Sequence, residues 1–145
     1  MVLPTDKTTP DAYDLQKLFL RMADEGCEYV VMEVSSHALD QYRIGNIHYD
    51  VAVFTNLTQD HLDYHKTMEN YFNAKKRLFD IADVGVINVD DIYGRQLSLI
   101  AKCHVVTCSL MNDKADFFAT DIECSSSGVS FHFECNNIFS KINFA

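Results

Sequence analysis

The chain has 145 residues, 48% of them hydrophobic and 23% charged, with five Gly, two Pro and no Trp. That is one domain's worth of chain, apolar enough to bury a core and to exclude wholesale disorder. No apolar run approaches the roughly 20 residues of a membrane span, Met1-Val2-Leu3-Pro4-Thr5-Asp6 lacks signal-peptide form, and a formal charge of −9 argues against nucleic acid and its basic-face requirement. Anionic small molecules stay open, because they respond to local charge. Five Cys, never spaced C-x-x-C, read as reduced thiols of a cytoplasmic protein.

Thr8-Thr9-Pro10-Asp11 carries a helix-start signal: a Thr N-cap, Pro at the first helical position and an acid in the first turn. Leu15, Leu18, Phe19 and Met22 then share a helical face, and Gly26 closes it. Tyr29-Val30-Val31-Met32-Glu33-Val34 is apolar on both faces, as a buried parallel strand would be, and leads into Ser35-Ser36-His37. Val51 to Phe54 reads as a second buried strand running into Thr55, Asn56, Thr58, Gln59, Asp60 and His61. A helix is expected from about Thr67, with Tyr71, Leu78, Phe79 and Ala82 near one face. Val84 to Asn88 predicts a strand, Asp90 to Ala101 a helix and His104 to Cys108 a fourth strand. The alternation is that of an α/β parallel sheet. After Met111 the pattern changes. Phe117–Cys124, Val129–Cys135 and Ile138–Phe144 read as an antiparallel meander, with Ser125-Ser126-Ser127-Gly128 and Asn136-Asn137 between them. The expected organisation is an α/β part over 1–110 and an antiparallel β part over 111–145.

Ligands of open α/β sheets bind beyond the carboxyl ends of the strands. Glu33, Ser35 and His37 would reach that edge from the first strand, and Asp60 and His61 from the second. A carboxylate inside an apolar strand is costly unless paired or metal-bound, so Glu33 suggests a cation. Asp60-His61-Leu62-Asp63-Tyr64-His65 is the densest ligand cluster. It admits a stand-alone metal-dependent hydrolase, since His61 and His65 would share a helical face, or a polar loop with a capping Asp. A non-catalytic binding module is a third reading. Lys75 shares a face with Tyr71, Leu78 and Phe79, so it turns inward more than Lys76 does; a partly buried Lys has a lowered pKa and a reactive neutral amine. Neither G-x-x-x-x-G-K-[ST] nor G-x-G-x-x-G nor G-x-S-x-G occurs.

In order, Thr8-Thr9-Pro10, the block Met32-Glu33-Val34-Ser35-Ser36-His37-Ala38-Leu39 with Gln41 and Arg43, the run Phe54 to His65, Tyr71-Phe72-Asn73-Ala74-Lys75 and Ile87-Asn88-Val89-Asp90-Asp91 resemble the central domain of the Mur ligases. The E-V-S-S-H-A-L block resembles the members that attach the third residue of the peptidoglycan stem peptide. The resemblance implies the central P-loop-type α/β fold without its phosphate loop, ending in a small antiparallel meander. This would make the chain part of a longer enzyme, inactive alone. The implied activity is ATP-dependent amide formation. The carboxylate of UDP-MurNAc-L-Ala-D-Glu becomes an acyl phosphate that a diamino acid, L-lysine or meso-diaminopimelate, displaces during cell-wall synthesis.

The resemblance makes Glu33, His61 and a CO₂-carbamylated Lys75 the catalytic residues and Mg²⁺ ligands. It gives Thr8, Thr9, Ser35, Gln41 and Arg43 to the UDP-MurNAc-dipeptide, and Asn56, Asp60, Asn88 and Asp90 to the nucleotide side. Lys7 stands where the family often has Asn.

Overall fold

The computed structural model describes residues 7–135 and 138–144. They gather into two compact units. One takes the described residues up to His48 together with Gln59–Ile81; the other takes Tyr49–Thr58 and the described residues from Ala82 onward.

The first unit is helical. Helix α1 spans Ala12–Asp24 and starts two residues later than the Thr-Pro signal predicts, with Asp11 at its N-cap. The Asp11 carboxylate turns back to Lys7 Nζ, 2.8 Å away, and caps no amide. At the other end Gly26 has φ +82°, its amide donates to Ala23 O at 3.0 Å and Cys27 N donates to Met22 O at 2.9 Å. This paired closure needs a left-handed residue after the cap, which is why Gly stands there.

The strand expected over Tyr29–Val34 is not formed: the backbone from Cys27 to Ser35 is non-helical and in no ladder, and Tyr29 and Val31 are 89% and 99% exposed. Apolar composition gives a segment a reason to be buried, but a parallel strand also needs paired neighbours, and the described residues provide none. Glu33 is accordingly exposed, so the desolvation argument that marked it from sequence does not apply.

Helix α2 spans Ser36–Asp40, capped by Ser35, whose Oγ accepts from Ala38 N at 3.2 Å. Helix α3 is the single turn Leu62–His65 and α4 spans Met68–Lys76, with Thr67 Oγ1 accepting from Asn70 N at 3.1 Å. The expected long helix tightens into a 3₁₀ turn at Arg77–Asp80, and Ala82 already belongs to the next strand. Helix α2 packs on α4, and Leu15, Leu39, Tyr71, Phe72 and Phe79 are buried in this unit.

The second unit carries a six-stranded sheet in the order β1-β2-β3-β4-β5-β6. Its strands are β1 (Tyr49–Phe54), β2 (Ala82–Asn88), β3 (His104–Ser109), β4 (Phe117–Ser125), β5 (Gly128–Cys135) and β6 (Ile138–Phe144). β1 to β4 pair in parallel and β4 to β6 antiparallel, so the meander extends the parallel sheet through β4. The expected Asn136-Asn137 turn lies outside the described residues. β1 is buried on one face only: Ala52 and Phe54 are inside, whereas Val51 and Val53 are more than half exposed.

Helix α5 (Ile92–Ile100) packs on β2 and begins at Asp91, whose Oδ1 accepts from Tyr93 N and Gly94 N at 2.8 and 3.0 Å. Gly94 is required by close approach: a Cβ there would lie 1.9 Å from Asn88 O. Ile87 and Leu97 are fully buried.

Candidate functional site

The sequence-derived candidates fall into two groups, one in each unit. In the helical unit, Thr9 is 1% exposed and sits at the centre of a hydrogen-bonded set. Its Oγ1 donates to Glu33 O at 3.0 Å and accepts from Ser35 N at 3.0 Å, while its carbonyl accepts from Arg43 Nη1 at 3.3 Å. Arg43 Nε donates to Gln41 Oε1 at 2.8 Å, Nη2 donates to the same oxygen, and Asp11 lies 3.6 Å from Nε. Gln41 Nε2 donates to Tyr64 Oη at 3.3 Å, and that hydroxyl donates to Asp40 Oδ2 at 2.9 Å. Thr9, Glu33, Ser35, Gln41 and Arg43 are thus linked over 34 residues of sequence. Thr8 is exposed beside them.

Rings form a second layer in this unit. His37 lies 4.9 Å from His61, 5.4 Å from His65 and 4.3 Å from Tyr64, centroid to centroid. His65 stacks on Tyr71 at 5.0 Å, and His61 meets the same ring edge-on at 5.9 Å. Buried His65 shares a hydrogen bond from Nε2 with Ser36 Oγ at 2.9 Å. Burial holds the His65 pKa below the ordinary value, and the neighbouring His37 adds to this. His61 caps α3 in the left-handed region at φ +54°, an uncommon conformation for a residue with a Cβ. Its amide donates to Asp60 Oδ1 at 2.7 Å.

Lys75 projects from the last turn of α4 with Nζ 5.5 Å from the Tyr71 ring centroid. Burial lowers its pKa, and the negative charge of Glu33 opposes that shift in part. The amine is therefore neutral more often than a surface lysine, and it lies within the electrostatic reach of a carboxylate.

Among the described residues, no group of three or more His, Cys, Asp and Glu gathers to hold a metal ion. Asp60, His61, Asp63 and His65 do not converge, and the hydrolase reading finds no support. The donors do suit magnesium in one respect. Mg²⁺ takes one or two hard anionic oxygens from protein and completes its shell with water and phosphate. The exposed Glu33 carboxylate is one such donor. The His61 nitrogen fits a hard cation less well.

In the sheet unit, Asn56, Asn88 and Asp90 line a cavity of about 480 Å³ whose walls include Phe54, Phe117 and Phe133. Two of these polar residues also shape turns. Asn88 Nδ2 donates to Thr55 O at 2.8 Å and its Oδ1 accepts from Asp90 N at 2.9 Å. Asp90 accepts from Ser109 Oγ and from Leu110 N, the latter at 2.7 Å. Asp60, grouped with them from sequence, lies in the helical unit.

Sequence reasoning missed Ser36, Tyr64 and Asp40. The S-S-H and H-x-x-x-H patterns marked their neighbourhood, but pairing across 24 to 29 residues leaves no periodic signal.

Comparison with known proteins follows the same lines. The Mur ligase middle domain family matches residues 1–145. UDP-N-acetylmuramoyl-L-alanyl-D-glutamate--2,6-diaminopimelate ligase of Corynebacterium glutamicum is 51% identical over 131 residues, which are 87% of this chain and 25% of that protein. Its namesake in Synechococcus elongatus is 52% identical over 126 residues, 84% of this chain and 25% of that one. A solved structure of a ligase with this name superposes with a TM-score of 0.82 at 34% identity, covering 93% of this chain and 29% of that chain. The MurF ligase from Thermotoga maritima in complex with ADP shares the fold, with a TM-score of 0.63 at 16% identity over 97% of this chain and 33% of that chain. The chain spans about a quarter of the length of the curated relatives it matches. With parallel strands leading into an antiparallel meander in one sheet, the chain belongs to the Mur ligase middle-domain family.

Proposed function

We propose that this chain supplies the acceptor and metal side of an ATP-dependent ligase joining a diamino acid to UDP-MurNAc-L-Ala-D-Glu in peptidoglycan synthesis. The relatives' names specify 2,6-diaminopimelate, which favours meso-diaminopimelate over L-lysine. The observation that carries the reading is Lys75, a half-buried amine with a lowered pKa, held in the same unit as Glu33, Ser35 and Arg43.

Each side chain has a task in that chemistry. Arg43, braced by Gln41 and the Thr9 carbonyl, offers a planar donor set suited to a carboxylate or phosphate of the acceptor. The lone pair of neutral Lys75 attacks the carbon of CO₂, forms an N–C bond and releases a proton to solvent, turning a cationic side chain into an anionic oxygen ligand. Glu33 and the Lys75 carbamate would then hold Mg²⁺, with His61 beside them. When bound, that ion supplies positive charge against the γ-phosphate and the charge developing during transfer. The acceptor carboxylate takes the γ-phosphoryl group, ADP leaves, and the diamino acid amine displaces phosphate to form the amide. Asn56, Asn88 and Asp90 are assigned to the nucleotide side, where the aromatic cavity they line suits a planar base.

The test is product analysis on the gene product carrying this chain, supplied with ATP, Mg²⁺, UDP-MurNAc-L-Ala-D-Glu and meso-diaminopimelate. One tripeptide product is expected per ADP and per phosphate released. Absence of ATP-dependent amide formation, or hydrolysis supported by a tightly bound zinc or iron, would overturn the reading.

A further inference from the structure

Gln41 and Arg43 follow α2 directly, and the polarity of their hydrogen bonds is forced from one end to the other. A guanidinium only donates. Arg43 directs Nε and Nη2 at Gln41 Oε1, the first at 2.8 Å, so the Gln41 amide must turn its nitrogen away. That nitrogen donates to Tyr64 Oη at 3.3 Å. The hydrogen of the hydroxyl goes to Asp40 Oδ2 at 2.9 Å, because a carboxylate only accepts. Arg77 Nη1 holds the other oxygen of Asp40 at 3.2 Å. Tyr64, on α3, reaches this relay from 23 residues away. Its ring lies 4.3 Å from the His37 ring and 4.8 Å from that of His65, so packing places the hydroxyl independently of the relay.

We infer that Tyr64 is a positioning residue whose hydroxyl orients the Gln41 amide, and through it the Arg43 guanidinium, for an anionic group of the acceptor. The inference rests on the ligase reading above and gives a task to an α3 residue that the reading leaves unused. Hydroxyl and ring have separate duties. Without the hydroxyl, Gln41 Nε2 loses its acceptor and the amide can turn, setting donor against donor. The guanidinium plane is then released.

The experiment uses the gene product carrying this chain. Tyr64→Phe removes the hydroxyl and keeps the ring. Calorimetry of UDP-MurNAc-L-Ala-D-Glu binding, without ATP or Mg²⁺, should show affinity about 5- to 10-fold weaker, the scale of one lost hydrogen bond. In ligation assays the acceptor KM should rise by the same factor, with kcat and the ATP KM within about twofold of wild type. General damage to the fold would lower kcat instead. In Gln41→Leu the relay is already cut, so adding Tyr64→Phe should change affinity by less than about twofold. Unchanged affinity in Tyr64→Phe would overturn the inference. Additive losses in the double variant would also overturn it, because Tyr64 would then act on the acceptor by itself.

A second measurement needs neither substrate nor activity. In protein labelled with ¹⁵N-arginine, the Arg43 Nε–H signal is identified by its loss in Arg43→Lys. It should be protected in the wild type and exchange at least ~10-fold faster in Tyr64→Phe. If Tyr64→Phe fails to fold, the wild-type protein still decides: an Arg43 Nε–H exchanging as fast as in an unstructured peptide would contradict the relay. A wild-type protein that neither binds this acceptor nor ligates would defeat the ligase reading, while Arg43 exchange would still decide whether Tyr64 holds the pair.

Discussion

In the sheet unit, Asn88, Asp90, Asp91 and Asp116 turn their oxygens onto backbone amides: a turn after β2, the loop after β3, the cap of α5 and Thr107. In the helical unit the same kinds of side chain bond mainly to one another, from Asp11 through Arg43 and Gln41 to Tyr64 and Asp40. Backbone ladders already hold the sheet unit, so its acids serve as local braces. The described residues of the helical unit form no strand, so networks of polar side chains order its extended segments. Those networks also link Thr9, Glu33, Ser35, Gln41 and Arg43, and replacing a residue has a different meaning on each side.

The comparison breaks most severely at Gly94. A Cβ there meets a backbone oxygen rather than a flexible side chain, so Gly94→Ala must push α5 off β2. Loss of cooperative unfolding of the sheet unit is expected in thermal denaturation, at a cost of about 3 kcal/mol or more. Next comes Lys75. Lys75→Ala should slow ligation by at least ~100-fold, the scale of removing one charge-stabilising group from an active site. Lys75→Arg should fail equally, because a permanently charged guanidinium cannot take up CO₂. Both variants should keep the wild-type urea midpoint of the sheet unit.

Asp91→Ala should do the reverse. It removes the α5 cap and a bond to Leu57 N, with an expected loss of about 1–2 kcal/mol in urea unfolding and unchanged Mg²⁺ dependence.

The smallest effect concerns pH. His65 has a folded pKa below its unfolded value of 6.5, so below pH 6.5 the unfolded state takes up the proton first. The stability supplied by neutral His65 is complete above pH 6.5 and is lost as pH falls through the folded value. Tyrosine fluorescence, usable in a chain with seven Tyr and no Trp, should report a lower urea midpoint at pH 5 than at pH 7. His65→Gln should flatten that difference.

How far the sequence reached follows the same division. The strands and helix of the sheet unit were legible because alternation, an Asp cap and turn residues are local signals, and β4 to β6 fall within a residue or two of their expected spans. The helical unit was legible in its motifs more than in its shape. Tyr29–Val34 reads as a strand because hydrophobicity records what a segment would bury, not whether a neighbour is present. The closure at Gly26 was readable because only a left-handed residue completes it. The Thr9 bridge was not, since a hydroxyl bonding 24 and 26 residues away has no period. Lys75 stood out twice, as an inward position on a helical face and as part of a family motif, and burial supplies the physical link between the two.

Lys75 therefore gives the most direct test. With the gene product equilibrated in ¹³C-bicarbonate and Mg²⁺, carbon NMR should show a carbamate resonance that is absent from Lys75→Ala. A spectrum without that resonance, from an enzyme that still ligates at full rate, would contradict the account.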